Sequence, residues 1–310
     1  MKSQPESSFV EANGIYLHYL AWEPARQTVA AETGEQPVEG DEVPLVLLHG
    51  LAASADAWRL LAPLLAQQRT VYAFDLRGHG ESEQAPNGYD LTTMMEDIVA
   101  GMAALGLGQV ALVGHATGAR LALLLAARHP ALVSQLVLVD GAYDEPRFWP
   151  GMTRERYVRR EIIAPVYSSC ETFVETMCRE MAAYWSPEVE EIVLSYVRER
   201  SDGCVEPRLL PENQRKIREA LWDESLVPFY GRVTCPVLLI PAASEPRPGE
   251  SPPERLEEAP DFAAARGLMA LRFARALPHC AIYWMPETAM DLQLHRPQRL
   301  ANGIARFLKG

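Results

Sequence analysis

The stretch LVGHATG, residues 112–118, is where the chain passes from a strand pattern into a helix pattern. An apolar run, 109–113, precedes it and a helix-patterned run, 119–128, follows it. Its two glycines flank one central residue at the G-x-S-x-G spacing, which is typical of a nucleophile elbow, a sharp turn that exposes its central side chain above a sheet. Only small flanking residues permit so tight a turn. The central residue is Ala116, so the sequence predicts the scaffold for a nucleophile without the nucleophile.

Strand and helix patterns alternate on both sides of this turn. Predicted strands occupy residues 43–48, 70–74, 109–113, 133–139, 236–240 and 281–285, several of them as continuous apolar runs. Helix patterns occupy residues 55–67, 89–105, 119–128, 261–276 and 297–308. A hairpin is predicted over 9–22, around Asn13-Gly14. Because parallel strands need crossover connections, the sequence predicts an α/β fold, a mostly parallel sheet of about eight strands with helices on both faces.

One long insertion interrupts the alternation. Residues 143–233 are mostly helix-patterned, over 153–163, 170–185, 187–200 and 211–221. Strand patterning resumes directly afterwards, at 236–240. We therefore predict a core formed by residues 1–142 and 234–310, with residues 143–233 as a helical cap over the catalytic edge of the sheet. The alternative is a separate helical domain.

Composition excludes several classes of protein. The 310 residues carry a net charge of −12, which disfavours nucleic acid as a partner. No apolar run approaches the ~20 residues of a membrane span, and the polar start has no secretory h-region, so a cytoplasmic protein away from membranes is expected. The 5 cysteines are scattered without a C-x-x-C pair, so we expect reduced thiols, no metal site and no cofactor.

Four motifs in chain order carry a family resemblance. They are His49-Gly50 after a strand, DLRGHG at 75–80, GHATG at 114–118 and LHRP at 294–297. Together they resemble the α/β-hydrolase superfamily, and its capped, esterase-like members most closely. The resemblance implies a serine that attacks a carbonyl, a histidine that accepts its proton, and an acidic residue that orients the histidine. It also implies two backbone N–H groups that stabilise the oxyanion.

Transferred one position at a time, the resemblance leaves the catalytic unit incomplete. Ala116 occupies the nucleophile position, and Met290 occupies the base position within AMDLQLHRP, residues 289–297. Neither side chain can attack a carbonyl or accept a proton. The acid position falls on Glu245 or Asp140, with Asp144 as a further candidate.

The remaining parts of the implied site are backbone groups and supporting side chains. The oxyanion hole would use the N–H groups of Leu51 and Thr117. His49, Asp75, His115 and Asp140 are polar residues at or near predicted strand ends, where ligands gather in such sheets. The residues assigned to the pocket or its support are His49, His115, Asp75 and Asp291.

Because two members of a cooperative unit are replaced, hydrolysis by a serine mechanism is not expected. Three readings stay open. The protein binds a small apolar or carbonyl-containing ligand and catalyses a non-hydrolytic step, such as a cyclisation, elimination or decarboxylation, with the oxyanion hole. Alternatively, it is a ligand-binding pseudoenzyme, or a Ser-to-Ala variant of a carboxylic-ester hydrolase. The ligand and the oligomeric state cannot be deduced from the sequence.

Overall fold

The computed structural model describes residues 4–24, 43–149, 151–159, 166–242, 262–285 and 291–309, without the side chains of 262–265. Its strands are β1 Glu6–Ala12, β2 Ile15–Trp22, β3 Leu45–Leu48, β4 Val71–Phe74, β5 Val110–His115, β6 Val133–Val139, β7 Val197–Glu199, β8 Val205–Pro207, β9 Val237–Ile240 and β10 Cys280–Ile282. Its helices are α1 Ala62–Leu65, α2 Leu91–Ala104, α3 Thr117–Arg128, α4 Arg154–Arg159, α5 Cys170–Glu180, α6 Pro187–Leu194, α7 Pro211–Asp223, α8 Phe262–Ala276, α9 Leu292–His295 and α10 Pro297–Leu308.

Eight of these strands form one sheet, in the order β1-β2-β4-β3-β5-β6-β9-β10. β2 is antiparallel to both of its neighbours, and every other adjacent pair is parallel. The predicted hairpin is present, because Asn13 and Gly14 both adopt the positive φ that a tight two-residue turn requires. The predicted α/β class, with a mostly parallel sheet of eight strands, is therefore confirmed.

The core lies on both faces of this sheet. Successive residues of β5 alternate between two apolar clusters, with Val110 and Leu112 in one and Ala111 and Val113 in the other. The first cluster includes residues of α2 and α3, and the second includes residues of α1 and α10. Burial on both faces explains why the central strands read as continuous apolar runs in the sequence.

Two predicted helices differ from the structure. The helix predicted over 55–67 is a 3₁₀ turn, Ala55–Trp58, followed by the single turn α1. Pro63 causes the break, because a proline has no N–H and is tolerated only in the first turn of a helix. The helix predicted over 187–200 ends at Leu194, and Val197–Glu199 is strand β7, paired with β8 across a turn at Gly203. An ion pair between Arg198 and Glu206 joins the two strands.

The segment between β6 and β9 contains α4 to α7 and the β7–β8 hairpin. This segment forms hydrogen bonds with the loop that follows β4. Asn213 Nδ2 donates to Tyr89 Oη at 2.7 Å, and Gln84 Nε2 donates to the Arg208 carbonyl at 2.9 Å. The division into a core and a cap at residues 142 and 234 stays a prediction. No helix in the described ranges is both long and apolar enough to cross a membrane.

The turn between β5 and α3 is packed backbone against backbone. A Cβ placed on Gly114 would lie 2.3 Å from the Gly118 carbonyl oxygen. A Cβ on Gly118 would lie 2.2 Å from the Leu48 carbonyl oxygen at the end of β3. Real Cβ atoms do not approach other atoms so closely, so both positions exclude any side chain. The two glycines predicted from the G-x-S-x-G spacing are thus required by close approach.

We predict that Gly114→Ala destabilises the protein by at least about 3 kcal/mol, because the backbone atoms that it meets belong to the core and cannot move aside. Gly108→Ala is the matched control, since nothing lies within 4 Å of its added Cβ. Its effect should stay within about 1 kcal/mol. Urea unfolding followed by circular dichroism measures both. Equal losses for the two variants would contradict the close packing described above.

Candidate functional site

Ala116 is the exposed point of an otherwise buried segment. Of residues 110–127, which form β5, the turn and most of α3, Ala116 alone is partly exposed. Its backbone has φ 49° and ψ −111°, a conformation that L-residues rarely adopt and that costs about 1–3 kcal/mol. Its N–H donates to the Val139 carbonyl at 3.0 Å, and its carbonyl accepts from the Ala119 N–H at 3.1 Å. The turn therefore presents a strained residue to the surface, and that residue carries only a methyl group.

The loop after β3 lies directly beside this methyl group. A Cβ placed on Gly50 would be 3.3 Å from the Ala116 Cβ and 3.1 Å from His115 Nδ1. Leu51 follows in this loop, and Thr117 is the first residue of α3. The first N–H groups of a helix have no intrahelical acceptor, which makes them suitable for binding a negative oxygen. The assignment of the Leu51 and Thr117 N–H groups to an oxyanion hole stays a prediction.

His49 is occupied by structural hydrogen bonds. Its Nε2 accepts from the Leu76 N–H at 3.0 Å, so Nδ1 carries the proton and donates to the Gly50 carbonyl at 2.7 Å. The ring is fully buried, and this burial lowers the pKa of His49 below its usual value. A neutral imidazole with both nitrogens engaged orients the Gly50 loop and is not available for proton transfer.

Asp75 is the centre of a buried network between β4 and two loops. Its Oδ1 accepts from the Ala55 N–H at 2.6 Å, and its Oδ2 accepts from His18 Nδ1 at 2.7 Å and from the Glu81 N–H at 2.9 Å. Burial alone would raise the pKa of Asp75, but the hydrogen bond from His18 and the nearby imidazoles lower it overall. Asp75 therefore holds loops in place as an ionised, fully bonded carboxylate.

The same loop contains a second buried network. Arg77 forms a bidentate pair with Asp97, through Nε at 2.7 Å and Nη2 at 2.6 Å. His79 Nδ1 donates to the Arg77 carbonyl at 2.9 Å, while its Nε2 has no hydrogen-bond partner among the described residues. Burial lowers the pKa of His79 to about 3, so the ring is neutral at physiological pH. These residues support the loop and leave no proton carrier there.

Asp140 follows β6 and is engaged by a residue that the sequence analysis did not identify. Its Oδ1 accepts from the Tyr143 hydroxyl at 2.9 Å and from the Ala242 N–H at 2.9 Å. Arg266 of α8 forms an ion pair with it at 3.0 Å and also binds Asp144 at 3.2 Å. Burial by itself would lower the pKa of Arg266, but the two carboxylates raise it overall. An arginine within the apolar pattern of α8 was the available signal, since a buried charge requires a partner.

His115 and Asp291 contact other polar groups near the turn. Gln293 Nε2 lies 3.5 Å from His115 Nδ1, and the Trp58 ring packs edge-on against the imidazole at 6.5 Å. Asp291 Oδ2 accepts from the Tyr184 hydroxyl at 3.2 Å. Tyr184 was not identified from the sequence, because it belongs to a helix-patterned segment that only the folded chain brings to Asp291. Gln293 lies within the AMDLQLHRP stretch, but its contact with His115 on β5 has no local sequence signal.

Met290 and Glu245, the predicted base and acid positions, lie outside the described residues. Their assignments stay predictions from the sequence. Within the described part of the chain, no group of three or more His, Cys, Asp or Glu side chains is placed to hold a metal ion. Around Ala116 the start of α3 thus lies beside the Gly50 loop, while His49, Asp75 and Asp140 are all engaged in internal bonds.

Comparison with known proteins gives one consistent result. A family model described as the alpha/beta hydrolase fold matches residues 43–165. A 2-(acetamidomethylene)succinate hydrolase from Mesorhizobium japonicum is 30% identical over 204 residues, which are 64% of this chain and 69% of the relative. A soluble epoxide hydrolase from Corynebacterium sp. is 42% identical over 128 residues, or 41% of this chain, but the match spans only 39% of that relative's length.

Solved structures agree on the fold. An E-2-(acetamidomethylene)succinate hydrolase superposes with a TM-score of 0.75 at 21% identity, covering 99% of this chain and 100% of that one. An enol-lactonase from Burkholderia xenovorans superposes with a TM-score of 0.67 at 18% identity, covering 98% of this chain and 100% of that one. At these identities the structures show a shared architecture and do not by themselves indicate a shared reaction.

The strain at Ala116 predicts that Ala116→Gly stabilises the protein by about 1 kcal/mol, because glycine adopts positive φ without steric cost. Little packing is lost, since Ala116 is partly exposed. The control is Ala122→Gly within α3, which should destabilise by about 1 kcal/mol or more. Thermal unfolding distinguishes the two. A loss of stability in Ala116→Gly would show that the turn is not strained.

The buried His79 predicts a loss of stability in acid. The unfolded chain binds a proton near pH 6.5, whereas folded His79 binds one only near pH 3, so unfolding is favoured as the pH falls below 6.5. At pH 4.5 this contribution is about 3 kcal/mol. His79→Asn keeps the donor to Arg77 and cannot titrate, so its unfolding free energy should fall less between pH 7 and 4.5. A wild-type slope in His79→Asn would contradict the assignment.

Proposed function

This chain belongs to the α/β-hydrolase superfamily, and on that basis we propose that it binds a small carbonyl-containing molecule above Ala116 without hydrolysing it through a serine. The ligand's carbonyl oxygen would accept hydrogen bonds from the N–H groups of Leu51 and Thr117. The pocket would lie between this turn and the segment 143–233.

One observation carries the proposal: the strained, exposed turn is complete although its side chain is inert. A turn of this kind normally positions the side chain of a nucleophile, whereas the side chain of Ala116 has no nucleophilic atom. Its unusual backbone also fixes the direction of the neighbouring N–H groups at the start of α3. Preorganised N–H groups bind a carbonyl oxygen whether or not a nucleophile is present. Binding is therefore the function that this geometry still serves.

The described side chains near the turn support the absence of serine-type hydrolysis. His49 and Asp75 are engaged in hydrogen bonds with loops. Asp140 forms an ion pair with Arg266 and accepts a hydrogen bond from Tyr143. A general base must reach the reacting proton within about 2.6–3.2 Å. The methionine at the predicted base position would supply no imidazole there.

The name of the 30% identical relative supports a carbonyl ligand. That protein is a 2-(acetamidomethylene)succinate hydrolase, and its substrate name contains an acetamido group and two carboxyl groups. The match extends over 204 residues and shows a family likeness. We transfer to this chain only the expectation that its ligand contains a carbonyl group, and we do not transfer that protein's reaction.

A second candidate function is a non-hydrolytic reaction, and one contact favours it. Asp291 follows the predicted base position, and its carboxylate accepts a hydrogen bond from Tyr184. Burial raises the pKa of Tyr184, so its hydroxyl keeps its proton at physiological pH. A carboxylate and a phenol in contact form an acid–base pair suited to an elimination or a decarboxylation, with the oxyanion N–H groups stabilising the developing charge.

The first test is hydrolysis of 4-nitrophenyl acetate. The wild-type protein should release no stoichiometric burst of nitrophenol and show no turnover above the buffer rate. Native mass spectrometry of the protein as purified should show a bound metabolite. A burst that disappears when a nearby serine or threonine is replaced would show that the nucleophile lies elsewhere.

Restoring both lost groups is the second test. Ala116→Ser with Met290→His should produce weak esterase activity, since general-base assistance contributes about 10²–10⁴ in rate. Ala116→Ser alone is the matched control and should remain inactive. If Ala116→Ser alone is a competent esterase, the protein is an ester hydrolase whose serine has been replaced, and the binding proposal fails. If the folded double variant is inactive, Met290 is not at the base position.

A further inference from the structure

A surface cavity lies away from Ala116, between the chain that follows β6 and helix α8. It has a volume of ≈ 240 Å³ and is lined by residues that include Tyr143, Asp144, Phe148, Tyr230 and Phe273. None of the residues of the nucleophile turn or the oxyanion loop lines it. For scale, a protein cavity of roughly 150 Å³ holds one benzene molecule. This cavity therefore has room for an aromatic ring with a short side chain.

Aromatic rings form much of its wall. Tyr230 and Phe273 pack edge to face with their centroids 4.9 Å apart. The Tyr143 hydroxyl donates to Asp140 and the Tyr230 hydroxyl donates to the Ala142 carbonyl, so both polar ends are engaged by the core. The hydroxyls are therefore not available to an occupant, and Arg266 already lies over the Tyr143 ring, 5.2 Å from its centroid. The rings of Tyr230 and Phe273 are left as the aromatic wall. Phe148 is 64% exposed, so its ring is accessible from solvent at the edge of the cavity.

The two carboxylates of the cavity wall, Glu145 and Asp144, differ in how many of their oxygens already accept hydrogen bonds. Both oxygens of Glu145 accept from the Ser225 hydroxyl, and one also accepts from the Leu226 N–H at 2.6 Å. Asp144 accepts from Arg266 through Oδ2 at 3.2 Å, and no described residue donates a hydrogen bond to its Oδ1. Asp144 thus has one oxygen free for an occupant.

Asp144 is incompletely compensated for its burial. Arg266 is shared between Asp140 and Asp144. Arg120 also lowers the pKa of Asp144 through its charge, although its own hydrogen bonds go to the carbonyls of Leu221 and Glu224. Burial nevertheless raises the pKa of Asp144 overall, because the two guanidinium groups do not make up for its loss of water. A cation bound at Oδ1 would compensate this carboxylate further.

We propose that this cavity is a binding site for a small organic ammonium ion with an aromatic or apolar body. The ammonium group binds Asp144 Oδ1, and the body packs on Tyr230, Phe273 and Phe148. Aromatic faces attract cations as well as apolar groups, so the two halves of the site act together. Arg272 also lines the cavity, but its side chain is exposed, and solvent screens its charge. The site is independent of the ligand proposed above Ala116.

The test compares three probes of similar shape by titration calorimetry at pH 7.5: 2-phenylethylammonium, neutral 2-phenylethanol and anionic 3-phenylpropionate. The ammonium should bind at least about 10-fold more tightly than the alcohol, the size expected of one charge-assisted contact. The anion should bind more weakly than the alcohol. Equal affinities for the ammonium and the alcohol would overturn the proposal, and so would a preference for the anion, which would identify Arg272 as the anchor.

Substitutions in the cavity wall test whether the ammonium probe binds there. Asp144→Asn should abolish the preference for the ammonium, whereas Asp202→Asn, which changes an exposed carboxylate in the β7–β8 turn, should preserve it. Phe148→Ala alters only an exposed side chain and should weaken the ammonium about 5-fold through the lost ring contact. This variant keeps the test decisive if Asp144→Asn does not fold. Unchanged binding in Phe148→Ala, or in a folded Asp144→Asn, would place the ammonium elsewhere and refute the site.

Discussion

The fold is organised by one steric constraint: three backbones meet around Ala116 with no room for side chains. Gly114 and Gly118 contact each other and the end of β3, and a Cβ on Gly141 would lie 2.4 Å from the Ala116 carbonyl oxygen. β3, β5 and β6 therefore converge on a single turn. Because three independent contacts fix that turn, Ala116 is held at a φ of 49° that it would not choose alone. The placement of the neighbouring loops, and hence of any ligand, follows from this convergence.

The polar groups near the turn act on the loops rather than on a ligand. Asp75 accepts hydrogen bonds from His18, the Ala55 N–H and the Glu81 N–H. It thereby connects β2, the loop after β3 and the loop after β4. His49 joins the last two through the Leu76 N–H. A buried network of this type is stable only when every member is bonded. The sequence assigned His49 and Asp75 to the candidate site, but their hydrogen bonds to loops leave neither side chain available for proton transfer.

Patterns with one dominant physical cause were predictable from the sequence. The alternation of buried strands and amphipathic helices fixed the α/β class, and the G-x-x-x-G spacing identified the turn, since few other structures require those features. The β7–β8 hairpin was missed because its strands are three residues long and depend on each other and on the Arg198–Glu206 pair. The Asp140–Arg266 pair was missed because its members are 126 positions apart and no local pattern links them. Contacts between distant elements also explain why the Tyr184–Asp291 and Gln293–His115 contacts were not predicted.

The inert side chain at the turn separates two roles that a nucleophile elbow usually combines. One role exposes a reactive atom, and it depends on the side chain of a single residue. The other aims the first N–H groups of a helix, and it depends only on the backbone. Replacing a serine by an alanine removes the first role and leaves the second untouched, because both residues have a Cβ and meet the same steric limits. The strain at position 116 is therefore the same for either residue, about 1–3 kcal/mol. A stability cost of that size is consistent with a site that depends on the direction of its N–H groups.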